Sequence, residues 1–322
     1  MSFAQEFDNA AAVTFSPEVL AKTTGVAVDE RVRGQIFAGL PELIAHGVAA
    51  ERRGEIMREV EDVIAQGRFR VIGKQDDQAV WQRGWDEVAG AMRAAERVDL
   101  ETLKPQYFHR GVPFRFLGDY AVPATDYFEY YAGVAVRRQL LLQAFPGCER
   151  LVELGCGTGM NLILAADLFP TARLAGSDWA PAAVDILAII GGSLARPVDG
   201  YLYNMLTGEG RDSIPIDSGT DVLTVHALEQ LGAKAPDVVE WLVAKRPRRC
   251  LHIEPIFDFY DRSNPFDDIA ARYHIARGYL RGLWPSLKER EARGQVKLLR
   301  HGRVSLGNLY HEAYSFVAWS AT

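Results

Sequence analysis

The sequence predicts an α/β protein. A doubly wound, mostly parallel sheet is expected over residues 125–322, preceded by an all-α region over residues 1–124. Three observations predict it. From Arg150 onward, short apolar runs alternate with helical stretches, the pattern of strand–helix–strand units around a parallel sheet. An apolar strand, Leu151–Leu154, runs directly into the glycine-rich turn Gly155-Cys156-Gly157-Thr158-Gly159. Upstream of residue 115 the apolar residues recur at spacings of three and four, with no strand alternation.

In the N-terminal region, Ser16-Pro17-Glu18 reads as a helix start, with a capping serine and proline in the first turn. Val32, Ile36, Leu40, Leu43 and Ile44 predict a helix over Asp29–Ala49. Ile56, Val60, Val63 and Ile64 predict a second over Ala50–Gln66, and Val80, Trp81, Trp85, Val88 and Met92 a third near Asp77–Arg97. Residues 104–124 read as a packed connector: Pro105, Pro113 and Pro123 interrupt regular structure, while Tyr107, Phe108, Phe114, Phe116 and Tyr120 call for burial. A helix over Thr125–Phe145 follows. Strands are expected at Leu151–Leu154, Arg173–Ser177, Gly200–Tyr203, Val222–Thr224 and Cys250–Ile253. Val296–His301 and Tyr310–Trp319 alternate like a half-buried antiparallel pair.

Composition narrows the function classes. With 322 residues, 48% hydrophobic and 24% charged, the chain has the balance of a soluble globular protein. A formal net charge of −6 argues against broad nucleic-acid or anionic-membrane binding, which want a basic face. The cluster Lys245, Arg246, Arg248 and Arg249 precedes an apolar strand and reads as a solvated loop. Cys148, Cys156 and Cys250 have neither metal spacing nor an even count, which points to a reducing compartment. Met1–Asn9 has no apolar core of a secretory signal, and no segment reaches membrane-spanning length, so a cytoplasmic protein is expected. His109, His226, His252 and His274 are scattered, so no metal site is expected.

The glycine turn carries the chemistry. Glycines there let the chain reverse sharply and let a ligand lie against bare backbone. A dinucleotide fingerprint places its third glycine where Met160 stands, and a phosphate-binding loop would carry a lysine that is missing here. The second strand ends in Asp178, followed by Trp179-Ala180-Pro181 and a helix. An acid at that place can accept hydrogen bonds from both hydroxyls of a ribose, or simply cap the helix.

With Glu153 one residue further back, the stretch Glu153-Leu154-Gly155-Cys156-Gly157-Thr158-Gly159 resembles the first motif of the class I, Rossmann-like S-adenosylmethionine-dependent methyltransferases. The resemblance covers residues 150–255 and, loosely, the two last strands. It implies a seven-stranded sheet with an antiparallel last strand, and S-adenosylmethionine as cofactor. It places Gly155, Cys156, Gly157 and Gly159 against the cofactor, Glu153 near its methionine part, Asp178 on its ribose and Trp179 beside its adenine. Asn204 stands where the family often has an acid contacting the adenine amine, and Met205 would pack on the ring or in the core. His226, after the fourth strand, lies at the open edge of the cofactor site, as a general base or as a structural histidine.

Around this centre, Tyr127, Tyr130 and Tyr131 open the helix where the family commonly closes over the cofactor. Tyr127 and Tyr131 share a helix face and can present rings or hydroxyls to a cationic sulfonium, or pack in the core. Glu254, at a strand end, can accept from a substrate amine or orient a histidine. Tyr273 and Arg277, four apart on a helix, can reach a carboxylate or hydroxyl of a small substrate, or pair with acids structurally. The leading expectation is methyl transfer to an O, N or C atom of a small molecule in a biosynthetic pathway. Two alternatives stay open: an enzyme that cyclises or transfers the aminocarboxypropyl arm with release of methylthioadenosine, and a non-catalytic module of the same fold. The acceptor, the role of the N-terminal helices as lid or interface, and the oligomeric state are left open by the sequence.

Overall fold

The computed structural model describes residues 12–67, 69, 71, 78–95, 97–104 and 112–322. Tyr107, Phe108 and His109 of the sequence reading lie outside the described residues.

The N-terminal region is not purely helical. It contains strands β1 (Ala12–Thr14) and β2 (Ile44–Gly47), helices α1 (Pro17–Thr24), α2 (Arg33–Ile36), α3 (Ala50–Ala65) and α4 (Gln78–Ala94), and the hairpin β3 (Phe114–Phe116) and β4 (Asp119–Pro123). The strands form a four-stranded antiparallel sheet in the order β1-β2-β4-β3, which corrects the all-α expectation. The helix expected over Asp29–Ala49 is one short turn, α2, followed by β2. Gly39, at φ 69°, and Pro41 break the run: the first takes a left-handed backbone, and the second can neither donate nor tolerate the preceding helical turn. Of the connector expected over residues 104–124, residues 105–111 lie outside the described residues, and residues 114–123 form the β3–β4 hairpin. Ser16 caps α1 as expected, its hydroxyl accepting from the Val19 amide at 3.3 Å.

Helix α5 (Phe128–Ala144) leads into β5 (Arg150–Leu154), α6 (Met160–Leu168), β6 (Arg173–Asp178), α7 (Pro181–Ser193), β7 (Val198–Leu202), β8 (Asp221–Val225), α8 (Ala235–Lys245) and β9 (Arg249–Ile253). Helices α9 (Pro265–Arg277) and α10 (Leu283–Ala292) precede β10 (Val296–Gly302) and β11 (Phe316–Ala321). The seven strands order as β10-β11-β9-β8-β5-β6-β7. Strands β5 to β9 pair in parallel, and β11 inserts antiparallel between β9 and β10.

Alternation along each strand fills two cores. Leu151, Leu223, Leu251 and Phe316 face α5, α6 and the N-terminal region. Val152, Val222, Cys250, Val317 and Trp319 face α8 and α10. Helices on both faces bury the sheet, so its strands read as continuous apolar runs. The strand order reverses between β5 and β8, which opens the crevice at the carboxyl ends of these strands.

The turn into α6 is the tightest fit. Gly159 has φ 68° and its missing Cβ faces the Ile190 and Leu187 side chains of α7. Gly159→Ala therefore carries both left-handed strain and a clash with a packed helix. It is expected to cost on the order of 2–4 kcal/mol of stability, read as a lowered denaturation midpoint with unchanged slope.

Candidate active site

Three strand ends converge on the glycine turn. Gly155 and Gly157 have φ 72° and 49°, conformations that exclude most side chains. A Cβ on Gly155 would lie 2.6 Å from the Ala227 Cβ after β8 and 3.1 Å from the Met205 Cε after β7. Bare backbone at this position is thus a condition of the fold. The amides of Gly155 and Cys156 donate to the Ser177 carbonyl at 2.7 and 2.9 Å, which pins the turn to the end of β6.

Asp178 closes the loop. Its Oδ2 accepts from the Gly157 amide at 3.1 Å and its Oδ1 from the Ala180 amide at 3.0 Å. Both ends of the crevice are held by one carboxylate, and each oxygen keeps a further lone pair for a hydroxyl. Burial pushes its pKa up, while the amides pull the other way. Cys156 is buried with Sγ against Gly176 of β6, and burial holds its thiol well above its ordinary pKa; it fills space there. Trp179 remains half-buried beside Asp178. Asn204 uses its Oδ1 to accept from the Leu206 amide at 2.9 Å, so the side chain shapes the turn after β7.

Glu153 is fully buried on β5. Its Oε1 accepts from Asn161 Nδ2 at 2.6 Å, but Oε2 has no hydrogen-bond partner. Desolvation pushes its pKa up to about 8, opposed by Asn161 and the Arg137 guanidinium. A buried carboxyl with one oxygen unpaired, beside a glycine turn at a strand end, fits a ligand that brings a donor or a positive charge.

From Glu153 a polar chain runs toward the cleft through residues that sequence reasoning did not single out. Arg137 on α5 sits 3.5 Å from Asn161 Oδ1, donates to the Gly133 carbonyl at 3.0 Å and lies 5.7 Å from the Tyr314 ring. Gly133 permits this arrangement, since a Cβ there would meet the Tyr314 hydroxyl at 2.7 Å. The Tyr314 ring meets His226 edge-on at 5.1 Å. His226 takes φ 53°, a strained backbone for a residue with a side chain, and its Nδ1 lies 3.6 Å from Glu229 Oε2. Glu129, half-buried at the start of α5, feels the His226 charge; burial pushes its pKa up to about 7. His226 is thus flanked by the Tyr314 ring and by the carboxyl groups of Glu129 and Glu229.

Other predicted residues have different neighbours. Glu254 is fully buried, and its two oxygens accept from the amides of Ala227, Leu228 and Glu229 at 3.0–3.2 Å. It shapes the segment that carries His226, with its own pKa raised to about 7 by burial. Tyr131 donates to Glu101 Oε1 at 2.7 Å, and the Lys104 ammonium sits over both the Tyr127 and Tyr131 rings at 4.9 and 5.1 Å. Tyr127 is the left-handed cap before α5 and not part of the helix, so the expected helix face is absent, although Lys104 covers both rings. The buried Tyr130 donates to the Leu100 carbonyl at 2.6 Å. Tyr273 stacks on Tyr310 at 4.8 Å, and Arg277 donates to the Tyr279 hydroxyl at 3.1 Å. His252, buried in the sheet between Thr224 and Trp319, has its pKa lowered to about 3 by desolvation and is structural. Among the described residues, no group of three or more His, Cys, Asp or Glu is placed to hold a metal ion, and no helix is long and apolar enough to cross a membrane.

No protein-family model and no curated protein matches the sequence. Solved structures do match. An N,N-8-amino-8-demethyl-D-riboflavin dimethyltransferase (RosA) from Streptomyces davawensis is 12% identical, over 61% of this chain and 57% of that one, at a TM-score of 0.43. The pyocyanin biosynthetic protein PhzM is 15% identical, over 60% of this chain and 57% of that one, also at 0.43. Aeropyrum pernix fibrillarin, solved with natively bound S-adenosyl-L-methionine, is 14% identical over 69% of this chain and 86% of that one, at 0.40. The chain thus spans under two thirds of the length of the first two. Its own parallel sheet, antiparallel β11 and glycine turn at the strand-order reversal carry the conclusion: the chain has a Rossmann-like, doubly wound α/β fold.

Proposed function

We propose that the protein is an S-adenosylmethionine-dependent methyltransferase acting on a small-molecule acceptor. The observation that carries this reading is the crevice itself. A backbone-lined turn at Gly155 and Gly157, bridged by Asp178, stands beside a buried Glu153 that has one oxygen without a partner. Asp178 would accept from the ribose hydroxyls, and Met205 and Trp179 would border the adenine. Glu153 would meet the ammonium of the methionine part. The bound cofactor supplies an electrophilic methyl group. The chain's share of the chemistry is alignment and proton removal: the acceptor atom gains the methyl and loses its proton to His226, backed by Glu129 and Glu229.

The residue neighbourhoods favour methyl transfer over use of the aminocarboxypropyl arm. Two of the groups that would suit that alternative are engaged elsewhere: Tyr131 is bonded to Glu101, and Glu254 to three main-chain amides. A net charge of −6 favours a small acceptor over a nucleic acid.

Glu153 gives the reading a calorimetric test. The folded protein keeps the Glu153 proton up to about pH 8, while the unfolded chain loses it near 4.5, so this group lowers stability as pH rises between those values. An ammonium placed beside it reverses the preference and expels the proton. At pH 7, binding of S-adenosylhomocysteine is expected to release about one proton, seen as a binding enthalpy that varies with the ionisation enthalpy of the buffer. Glu153→Gln removes that dependence. Absence of binding by the wild type would refute the assignment.

A further inference from the structure

Helix α4 comes from the N-terminal region, yet it lies along α7 of the sheet domain and reaches the crevice. Gln78 Nε2 donates to the Trp179 carbonyl at 2.7 Å, and Gln82 Oε1 accepts from the Ala182 amide at 3.1 Å. Helix α7 has no side-chain cap of its own, so Gln82 supplies an acceptor to its first turn. At the other end, beyond α4, the Val98 amide meets Ser193 Oγ at 3.4 Å. The two helices therefore run parallel, anchored at both ends, with Ala89 and Met92 of α4 buried. This places the first half of α4 at the carboxyl edge of β6, beside Asp178.

That half carries two indoles. Trp81 and Trp85 pack at 5.3 Å with ring planes 30° apart, and both stay half-buried. The six-membered ring of Trp85 lies over the glycine turn, 3.0–3.6 Å from the position a Cβ on Gly157 would take. Gly157 is also the residue whose amide is bound by Asp178. Among the described residues, the Trp81–Trp85 pair keeps part of its aromatic surface uncovered beside the bare backbone turn, a surface suited to a flat apolar ligand.

We propose that α4 forms the outer wall of the cofactor site, with the Trp85 ring lying against the nucleoside part of the adenosyl ligand beside Gly157. The inference rests on the adenosyl-cofactor reading and assigns the N-terminal region a part in cofactor binding. Trp85 acts there as a binding residue, and Gln78 and Gln82 as positioning residues that hold α4 on the Asp178–Ala182 turn.

The test is calorimetric titration of the full-length protein with S-adenosylhomocysteine. Trp85→Ala is expected to weaken binding at least about tenfold and Trp85→Phe, which keeps a ring, by less than about threefold. The double variant Gln78→Ala/Gln82→Ala is expected to weaken it at least about threefold through loss of both anchors. Unchanged affinity in Trp85→Ala would show that the indole only packs, and tighter binding would show that it obstructs the site; either overturns the proposal. If Trp85→Ala fails to fold by circular dichroism, the glutamine variant decides, and wild-type affinity there overturns it. A wild type that does not bind the ligand removes the cofactor reading and this inference together, whereas binding by wild type with indifferent variants removes this inference alone.

Discussion

Asp178→Ala is expected to abolish measurable binding of S-adenosylhomocysteine, a loss of at least about 100-fold. Two effects combine. A carboxylate accepting from two ribose hydroxyls contributes about 1.5–3 kcal/mol per charge-assisted hydrogen bond, and each 1.4 kcal/mol is a factor of ten in affinity. The same carboxylate also ties the Gly157 amide to the Ala180 amide, so its removal releases both sides of the crevice before any ligand arrives. Asp178→Asn keeps an acceptor oxygen for one of those amides and presents an NH2 to the other, so an intermediate affinity is expected. Calorimetry on folded protein separates the cases, and unchanged affinity in the alanine variant would contradict the placement of the ribose.

The largest effect on stability is expected at Arg115. Its guanidinium is fully buried, donates to the Phe266 carbonyl at 3.0 Å, lies 3.4 Å over the Phe266 ring, and sits 3.6 and 3.5 Å from Asp267 and Glu312. Arg303 grips the same two acids, at 2.5 and 2.9 Å. Two positive and two negative groups balance. Arg115→Ala leaves two buried carboxylates sharing one arginine and opens a void under β3. A loss of about 3–5 kcal/mol follows, with thermal unfolding lowered on the order of 10 °C. A melting temperature within a degree of wild type would contradict this account. Arg115 joins the hairpin of the N-terminal sheet to α9 through Phe266 and Asp267.

These two residues differ in how far the sequence announces them. Asp178 ends an apolar run one strand after a glycine turn, a local pattern that period and spacing resolve; the same holds for β5, α6 and the antiparallel β10–β11 pair. Arg115 sits in a proline-broken stretch, and its partners lie about 150 and 200 positions onward, so no local pattern carries the contact. The small sheet was illegible for a related reason. Its strands are three to five residues long, and β2 pairs with β4 across some 75 positions, too little alternation at too long a range. The supposed helix over Asp29–Ala49 did contain its own contradiction in Gly39 and Pro41. Within the site, Asp178 accepts from the Gly157 amide and Met205 lies beside Gly155. Tyr314 meets His226, and Arg137 and Gly133 meet Tyr314, only because α5 packs against the segment before β11. Glu254 looks like a free acid in sequence because the amides it binds become visible only when the chain after β8 folds back.

The central claim is that this crevice activates a methyl group for a small acceptor. The most direct measurement is to incubate the pure protein with S-adenosylmethionine, with and without a metabolite extract, and to identify the products by mass spectrometry. The account predicts intact cofactor alone and enzyme-dependent S-adenosylhomocysteine once the extract is added, lost in Asp178→Ala. Methylthioadenosine as the enzyme-dependent product would contradict it.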